Sequence, residues 1–203
     1  MKKYIAILDP FPRTLKLIFS KDNFKALKSR YKLIYAPKKY KKNFYDKNIH
    51  KASFIIGHPD LPKDLLLKAK KLKAVINVES NFMNNMDYQY CFKKGIHVIA
   101  TSPVFSKPVA EIALGMTLSL LRNIHIAHSD FIKGKEKYGL ESNHNASLLS
   151  GKKIGLLGFG DLAKSLYPLL LPFSKDINVY DPWIPKINIQ KLGFKNILSL
   201  IHI

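Results

Sequence analysis

Residues 150–185 decide the fold, and they read SGKKIGLLGFGDLAKSLYPLLLPFSKDINVYDPWIP. The short apolar run at 153–157 predicts a buried strand, and GFGDLA at 158–163 follows it with the pattern G-x-G-x-x-A. A predicted helix and a second apolar run then lead to Asp181, about 20 residues after the glycine turn. This order of strand, glycine turn, helix and acidic strand end is typical of a dinucleotide-binding unit.

Each position of the glycine pattern has a physical reason. Gly158 permits the tight turn, Gly160 lets the backbone approach a pyrophosphate, and Ala163 is small enough for the helix to pack on the strand. The phosphates would bind free N–H groups at the helix N-terminus. Asp181 would accept hydrogen bonds from ribose, which favours NAD over NADP because a carboxylate repels a 2′-phosphate. A purely structural βα turn is the alternative for the glycine motif. A turn role for Asp181 before Pro182 is compatible with ribose binding.

Length and composition are those of a globular protein. The 203 residues allow one large domain or two small ones, and 47% of them are hydrophobic. The single cysteine, Cys91, excludes a disulfide framework and a multi-cysteine metal site. Its place in a helical stretch predicts a buried structural thiol. The apolar part of the first 12 residues is too short for a signal peptide. No apolar run approaches the length of a membrane span, so we predict a cytoplasmic protein with no membrane partner.

The chain is strongly basic, with 34 lysines and arginines against 14 acidic residues and a net charge of +20. Such a balance can mark a nucleic-acid-binding surface. However, the arginines are Arg13, Arg30 and Arg122 alone, and arginine is preferred for bidentate recognition of bases and phosphates. The lysines are spread along the chain, which favours solvated faces and the bias of an A/T-rich genome. We expect weak, salt-sensitive affinity for polyanions and no specific nucleic-acid partner.

The first hundred residues alternate short β runs with helical segments. The predicted strands are 4–9, 31–36, 53–57, 74–78 and 97–100, and the predicted helices are 14–30, 61–71 and 85–94. Short strands separated by helices indicate a parallel sheet that is covered on both faces. We therefore predict a first α/β domain over residues 1–101.

A long helix is predicted to begin near Ser106, with that residue as the N-cap and Pro108 in the first turn. Apolar residues recur around most of its circumference, which predicts a buried helix between two domains. His125 and His128 follow near its end, but no carboxylate stands at ligand spacing, so we predict no metal site. The polar residues 131–149 then link this helix to the glycine-motif strand, within a second domain at 102–203.

Three stretches, in this order along the chain, resemble the D-isomer-specific 2-hydroxyacid dehydrogenase family. INVESNFMNNMD at 76–87 occupies the place of the family's loop after the fourth strand, whose backbone amides hold the substrate carboxylate. GIHV, TSP and VAE within 95–111 resemble the entry into the interdomain helix. KKIGLLGFGDLAKSLYPLL with VYDPWIP resembles the nucleotide-binding fingerprint. The resemblance implies a flavodoxin-like parallel-sheet N-terminal domain followed by an incomplete Rossmann domain that binds NAD.

The resemblance also implies site residues by position. The implied cofactor-binding residues are Gly158, Gly160, Asp161, Leu162 and Asp181, and the implied substrate-binding residues are Ser80 and Asn81. The side chain of Asp161 would stand unusually close to a pyrophosphate. Glu79 departs from the small, uncharged residues that are usual there, and it would repel a carboxylate substrate unless it points away or pairs with a lysine. The sequence does not identify which 2-hydroxy or 2-keto acid is the substrate.

The family's catalytic Arg, Glu and His come from the later half of the NAD-binding domain and would lie beyond Ile203, so no catalytic residue is assigned in this chain. His97, His144 and Arg122 are poor substitutes. The apolar run NILSLIHI at 196–203 would leave an open strand edge. This favours a frameshift or premature stop and an inactive 203-residue chain. A full-length form is expected to be a homodimer, as is usual in the family.

Three functions therefore stand at this point. The preferred one is an oxidoreductase that transfers hydride between NAD(H) and a 2-hydroxy or 2-keto acid. A non-catalytic NAD-binding or interaction module is the alternative, and it would bind NADH without turnover. A basic nucleic-acid-associated protein built on the same fold is the third, and it would discriminate between nucleic-acid sequences.

Overall fold

The structure, a computed structural model, describes residues 4–39, 41–79, 82–191 and 193. It divides the chain into two compact units, Met1–Ser102 and Pro103–Ile203. The terminal run at 196–203, in which an open strand edge was predicted, lies outside the described residues, as do the substrate-loop residues Ser80 and Asn81.

The first unit is built on a five-stranded sheet whose strands are all parallel. The strands are β1 (Ile5–Asp9), β2 (Lys32–Tyr35), β3 (Phe54–Gly57), β4 (Ala74–Asn77) and β5 (His97–Ile99). Their order, β2-β1-β3-β4-β5, is the flavodoxin-like order. The predicted fold class of this unit is therefore confirmed, and its loops after β1, β3 and β4 leave one common edge of the sheet.

Helices connect these strands. They are α1 (Leu15–Ile18), α2 (Lys21–Arg30), α3 (Lys41–Asn48), α4 (Lys63–Lys68) and α5 (Tyr88–Lys93), and a 3-10 turn (Ile49–Lys51) follows α3. The predicted helix at 14–30 is interrupted because Ser20 leaves the helical conformation and its Oγ accepts the Asn23 N–H as the cap of α2. Asp87 caps α5 in the same way through the N–H of Tyr90, at 2.8 Å.

The helix α3 was not predicted, because its residues KKNFYDKN are mostly polar. Its contribution to the core is concentrated in Tyr45, which is 1% exposed, and Ile49 in the following turn is fully buried. These two side chains pack with Ile7, Ile55 and Val75 of the central strands. The central strands are apolar on both faces because a parallel sheet is covered on both sides.

The second unit contains a two-stranded parallel sheet among its described residues. Its elements are α6 (Ser102–Leu121), which begins at the boundary, α7 (Ile124–Ile132), α8 (Leu140–Asn143), β6 (Ile154–Leu157), α9 (Asp161–Leu170), β7 (Ile177–Tyr180) and α10 (Lys186–Lys191). Val179 and Phe159 form one buried cluster, and Ile177, Leu170 and Leu149 form another. The strand–turn–helix–strand order read from the sequence is confirmed.

Two expectations for the long helix are wrong. The helix α6 begins at Ser102, so that Ser106 lies inside it, where its hydroxyl donates to the Pro103 carbonyl at 3.0 Å. Pro108 is likewise internal rather than in the first turn. The helix is also not buried, since Ser106 and Ala110 are its buried residues while Ile112 is 60% exposed.

The length and composition of α6 correct a third expectation, that no segment approaches the length of a membrane span. By length and composition alone, Ser102–Leu121 is long and apolar enough to cross a membrane. Length and composition do not by themselves assign a membrane, and Lys107 and Glu111 lie within the helix.

Candidate functional site

The glycine turn after β6 adopts the geometry that the pattern requires. Gly158 has a φ of +88°, a region that side chains other than glycine rarely adopt. Its N–H donates to the carbonyl of Tyr180 at 2.7 Å, which joins the turn to the end of β7. The next residue, Phe159, is 4% exposed and anchors the turn in the core beside Val179.

The N-terminus of α9 is open to a ligand. Gly160 is the N-cap and has no side chain with which to cap the helix, and Asp161 is the first helical residue. The N–H groups of the first helical turn have no partner within their own helix. A Cβ added to Gly160 would meet no atom within 4 Å, so the space above the turn is free. These donors and this space fit a pyrophosphate, because a helix N-terminus attracts negative charge.

Asp181 is held by three backbone N–H groups. Its Oδ2 accepts the N–H of Phe159 at 2.7 Å, and its Oδ1 accepts those of Trp183 at 2.8 Å and Ile184 at 3.2 Å. Burial disfavours the charged carboxylate, but these three hydrogen bonds and the charge of Lys164 outweigh it, so the pKa of Asp181 lies below its ordinary value. The turn role of Asp181 is thus observed. Its Oδ2 keeps acceptor capacity for a ribose hydroxyl, and that role stays a prediction.

A second group of polar residues lies where β1, β3 and β4 end. Asp9, the last residue of β1, is 1% exposed and pairs with Lys41 Nζ at 2.7 Å and the Tyr45 hydroxyl at 3.0 Å. Burial, followed by the Asp9 charge, raises the pKa of Tyr45, so its hydroxyl stays protonated. Asn77 ends β4 and is fully buried.

Glu79 forms a two-pronged ion pair with Arg13 at this edge. Arg13 Nε donates to Oε1 at 2.8 Å and its Nη2 donates to Oε2 at 3.0 Å, with the side chains 34% and 28% exposed. The bond from Arg13 is the main reason that the pKa of Glu79 is lowered, against the opposing effect of burial, and the charge of His58 adds to it. The acid that was expected to disturb the substrate loop is therefore paired, with an arginine rather than a lysine.

Sequence reasoning missed both Arg13 and Asn77 as residues of this edge. The only signal for Arg13 was its rarity, since it is one of the chain's three arginines. Its partner is 66 positions away in the chain, and the fold alone brings them together. Asn77 reads as an ordinary polar residue at a strand end.

The metal and thiol predictions concern other parts of the chain. Among the described residues, no three His, Cys, Asp or Glu side chains are grouped so that they could hold a metal ion. Cys91 is fully buried in α5, as predicted, and burial followed by the charge of Asp87 raises the pKa of its thiol. A neutral, buried thiol is a poor nucleophile.

Comparison with known proteins connects the glycine-turn region to a family. Residues 114–201 match the family described as D-isomer specific 2-hydroxyacid dehydrogenase, NAD binding domain. The chain is 32% identical over 127 residues to hydroxypyruvate reductase of Thermotoga maritima, covering 62% of this chain and 40% of that protein. It is also 32% identical over 135 residues to D-3-phosphoglycerate dehydrogenase of Methanocaldococcus jannaschii. That match covers 64% of this chain and 24% of that protein. The chain thus matches less than half the length of these relatives.

Solved structures agree with these relatives. A phosphoglycerate oxidoreductase from Rhizobium etli is 41% identical, with a TM-score of 0.73, and the match covers 98% of this chain and 61% of that one. D-mandelate dehydrogenase from Rhodotorula graminis gives a TM-score of 0.80 at 17% identity over 99% and 62% of the two chains, which shows a shared fold.

Four observations lead to the same conclusion: the glycine turn, the open N-terminus of α9, Asp181 with its three backbone hydrogen bonds, and these matches. Residues 114–201, which include the glycine turn, the start of α9 and Asp181, match the NAD-binding domain of that family. In sequence and in fold, the chain is similar to members of the D-isomer-specific 2-hydroxyacid dehydrogenase family.

Proposed function

We propose that this chain binds NAD(H) and serves an oxidoreductase that transfers hydride between NAD(H) and a 2-hydroxy or 2-keto acid. One observation carries the cofactor part of the proposal. The glycine turn leads into a helix whose N-terminus has no cap from a side chain of the N-cap residue. Within that turn, the N–H of Phe159 donates to Asp181, which follows the neighbouring strand β7. That arrangement supports a phosphate at the turn and a ribose at Asp181.

Each residue has a defined task in this proposal. The N–H groups of Asp161 and Leu162 donate to the pyrophosphate, and the absence of a side chain at Gly160 lets it approach. The ionised Asp181 accepts a ribose hydroxyl at Oδ2 and disfavours a 2′-phosphate. When bound, NAD supplies the hydride acceptor or donor of the reaction. The carboxylate of Asp161 would oppose phosphate binding, and it stands in the first turn of α9.

On the substrate side, we propose that the backbone of Ser80 and Asn81 binds the carboxylate of a 2-keto or 2-hydroxy acid. Supporting this, Glu79 immediately before them is held by Arg13. No catalytic acid, base or arginine is assigned within the 203 residues, so we expect this chain by itself to bind NADH without turnover. We place it in the cytoplasm, and we propose a homodimer for the active form.

The test is binding of NADH and NADPH to the 203-residue chain by calorimetry. Trp183 is the only tryptophan and lies two residues beyond Asp181, so quenching of its fluorescence gives a second readout. We expect NADH to bind more tightly than NADPH, and Gly160→Val to abolish binding because its side chain fills the phosphate space. Gly115→Val is the matched control, since Gly115 also has nothing within 4 Å. Equal affinity in the wild type and Gly160→Val would refute the proposed site.

A further inference from the structure

A cavity of about 580 Å³ opens at the amino edge of the sheet in the first unit. This is the edge at which the parallel strands β1, β3 and β4 begin, opposite the one that carries Asp9 and Glu79. The lining of the cavity comes from the start of β1 and from the segments that precede β3 and β4. A concave space of this volume is large enough for a small organic molecule.

Four lysines line this cavity, and no acidic residue does so among those described. They are Lys51, Lys70, Lys71 and Lys73, and in the part of the chain that the structure describes none of them takes part in an ion pair. Like charges gathered around one concave surface raise the local concentration of anions. An anion that carries more than one charge therefore gains most by binding here.

The backbone that carries these lysines is held in place. The N–H of Lys73 donates to the Ser53 carbonyl at 2.8 Å, and the N–H of Ser53 donates to the Ile5 carbonyl at 2.8 Å. The turn at 69–72 carries two more of the lysines, and Leu72 anchors it in the core with 7% exposure. The positions from which the lysines reach the cavity are therefore set before a ligand binds.

The rest of the cavity wall is aromatic, apolar and hydroxyl-bearing. Tyr4 packs edge-on against Phe54 with ring centroids 6.0 Å apart, Lys73 Nζ lies 4.5 Å from the Tyr4 ring centroid, and Ile5 adds apolar surface. Ser53 is 6% exposed, and its hydroxyl has no hydrogen-bond partner among the described residues. Because buried hydroxyls in proteins are generally hydrogen-bonded, Ser53 offers a donor to a ligand.

We propose that this cavity is a second ligand site, which binds a small organic phosphate. A phosphate monoester carries a charge of about −1.5 to −2 at neutral pH and has three acceptor oxygens, and lysine binds phosphate as a point charge. A single carboxylate would leave most of the four lysines unneutralised. The lysines and the Ser53 hydroxyl bind the phosphate oxygens, while Tyr4 and Ile5 contact the organic part.

This inference goes beyond the proposed function and does not rest on it. The residues proposed to bind NAD belong to the second unit, whereas every residue that lines this cavity belongs to the first. The cavity also lies at the edge of the sheet opposite the proposed substrate loop. Failure of either proposal would therefore leave the other standing.

The experiment titrates phenyl phosphate into the full chain at physiological ionic strength, which screens diffuse attraction, and follows binding by NMR. Inorganic phosphate and phenol are the comparison probes, because each carries one part of the ligand. We expect phenyl phosphate to bind at least about fivefold more tightly than either, since both parts contribute. The amide signals of Ser53 and Lys73 should shift during the titration. Shifts at the start of α9 instead would place the phosphate at the glycine turn and overturn the inference.

The lysine contribution is tested by combining Lys70→Gln with Lys71→Gln. We expect this double variant to bind phenyl phosphate at least about tenfold more weakly, because two charges within several ångströms of the phosphate are removed. Lys38→Gln combined with Lys39→Gln is the matched control, since it removes an adjacent pair beyond the end of β2, at the opposite edge of the sheet. All four of these side chains are exposed, so both variants should fold.

The control variant should bind phenyl phosphate within about twofold of the wild type, because distant exposed charges are screened. Equal weakening in both double variants would show a general effect of net charge. Phenol that binds as tightly as phenyl phosphate would show an apolar pocket. Either result, or no binding of phenyl phosphate to the wild type, overturns the inference.

Discussion

At Gly57 the end of β3 passes too close to β1 for any side chain. Gly57 has a φ of +151°, and a Cβ added there would lie 1.9 Å from the carbonyl oxygen of Asp9. The same close approach lets the N–H of His58 donate to that oxygen at 3.1 Å. The edge that carries Asp9, His58 and Asn77 therefore depends on this glycine.

Substitution of Gly57 should destabilise the first unit severely. We expect Gly57→Ala to lower the free energy of unfolding by more than about 3 kcal/mol, because backbone must move to remove the clash. Gly95→Ala is the control, since Gly95 also has a positive φ but nothing within 4 Å. It should cost only about 1 kcal/mol. Urea denaturation measures both, and equal losses would show that the close approach is unimportant.

Asp181 should give the second unit a stability that depends on pH. Its pKa is lower in the folded protein than in the unfolded chain, so ionised Asp181 stabilises the fold at neutral pH. That contribution is fully present above the unfolded value, about 3.9, and is lost as pH falls through the folded value. Asp181→Asn should remove this part of the acid dependence, measured by thermal unfolding between neutral and acidic pH. Asp176→Asn, at the opposite end of β7, is the control, and an identical change in both variants would contradict the assignment.

At the scale of elements, α6 presents an apolar face that its own unit leaves uncovered. Ile112, Met116 and Leu120 recur at helical spacing and are each at least 60% exposed. A patch of this kind on a soluble protein usually marks a contact surface. It supports the homodimer that we propose for the active form.

A charge placed in this face should prevent self-association. We expect the chain to show a concentration-dependent dimer by analytical ultracentrifugation, and Met116→Glu to shift it to the monomer because a buried unpaired charge is costly. His128→Glu, on the next helix α7, adds the same charge outside the face and is the control. A wild type that stays monomeric at high concentration would contradict the proposed dimer.

Which elements could be predicted depended on how strongly their residues point to one structure. The strands of both units and α9 could be read from apolar runs bounded by turn residues. The helix α3 could not, since its segment is mostly polar and Tyr45 is its one buried residue among those described. The start of α6 was misplaced because Ser106 and Pro108 resemble a helix beginning, whereas the helix accommodates both internally.

The same contrast applies to the candidate site. Gly158, Gly160 and Asp181 stand in a local pattern whose physical requirements are visible in the sequence. The pairing of Arg13 with Glu79 depends instead on the strand order β2-β1-β3-β4-β5, which brings the ends of β1 and β4 to one edge. No local rule connects residues so far apart in the chain.

At the scale of the whole molecule, the charge of +20 should dominate contacts with polyanions. Described ion pairs engage few of the lysines, among them Lys41, Lys68 and Lys137. We expect RNA and DNA to bind at low salt without sequence preference and to dissociate by physiological salt, because the attraction is counterion release. Titrations of two unrelated RNA sequences over a salt series measure this. Retained binding to one sequence at high salt would instead favour a nucleic-acid function.

The three amides around Asp181 have a consequence for recognition. They hold the carboxylate in one rotamer before any nucleotide arrives, so little side-chain entropy remains to be lost on association. The acid is in this sense preorganised, and its geometry is set by the turn that we propose to bind the phosphates. Damage to the glycine turn should therefore also disorder Asp181, the group that we propose to distinguish NAD from NADP. Affinity for the nucleotides and discrimination between them should then fall together.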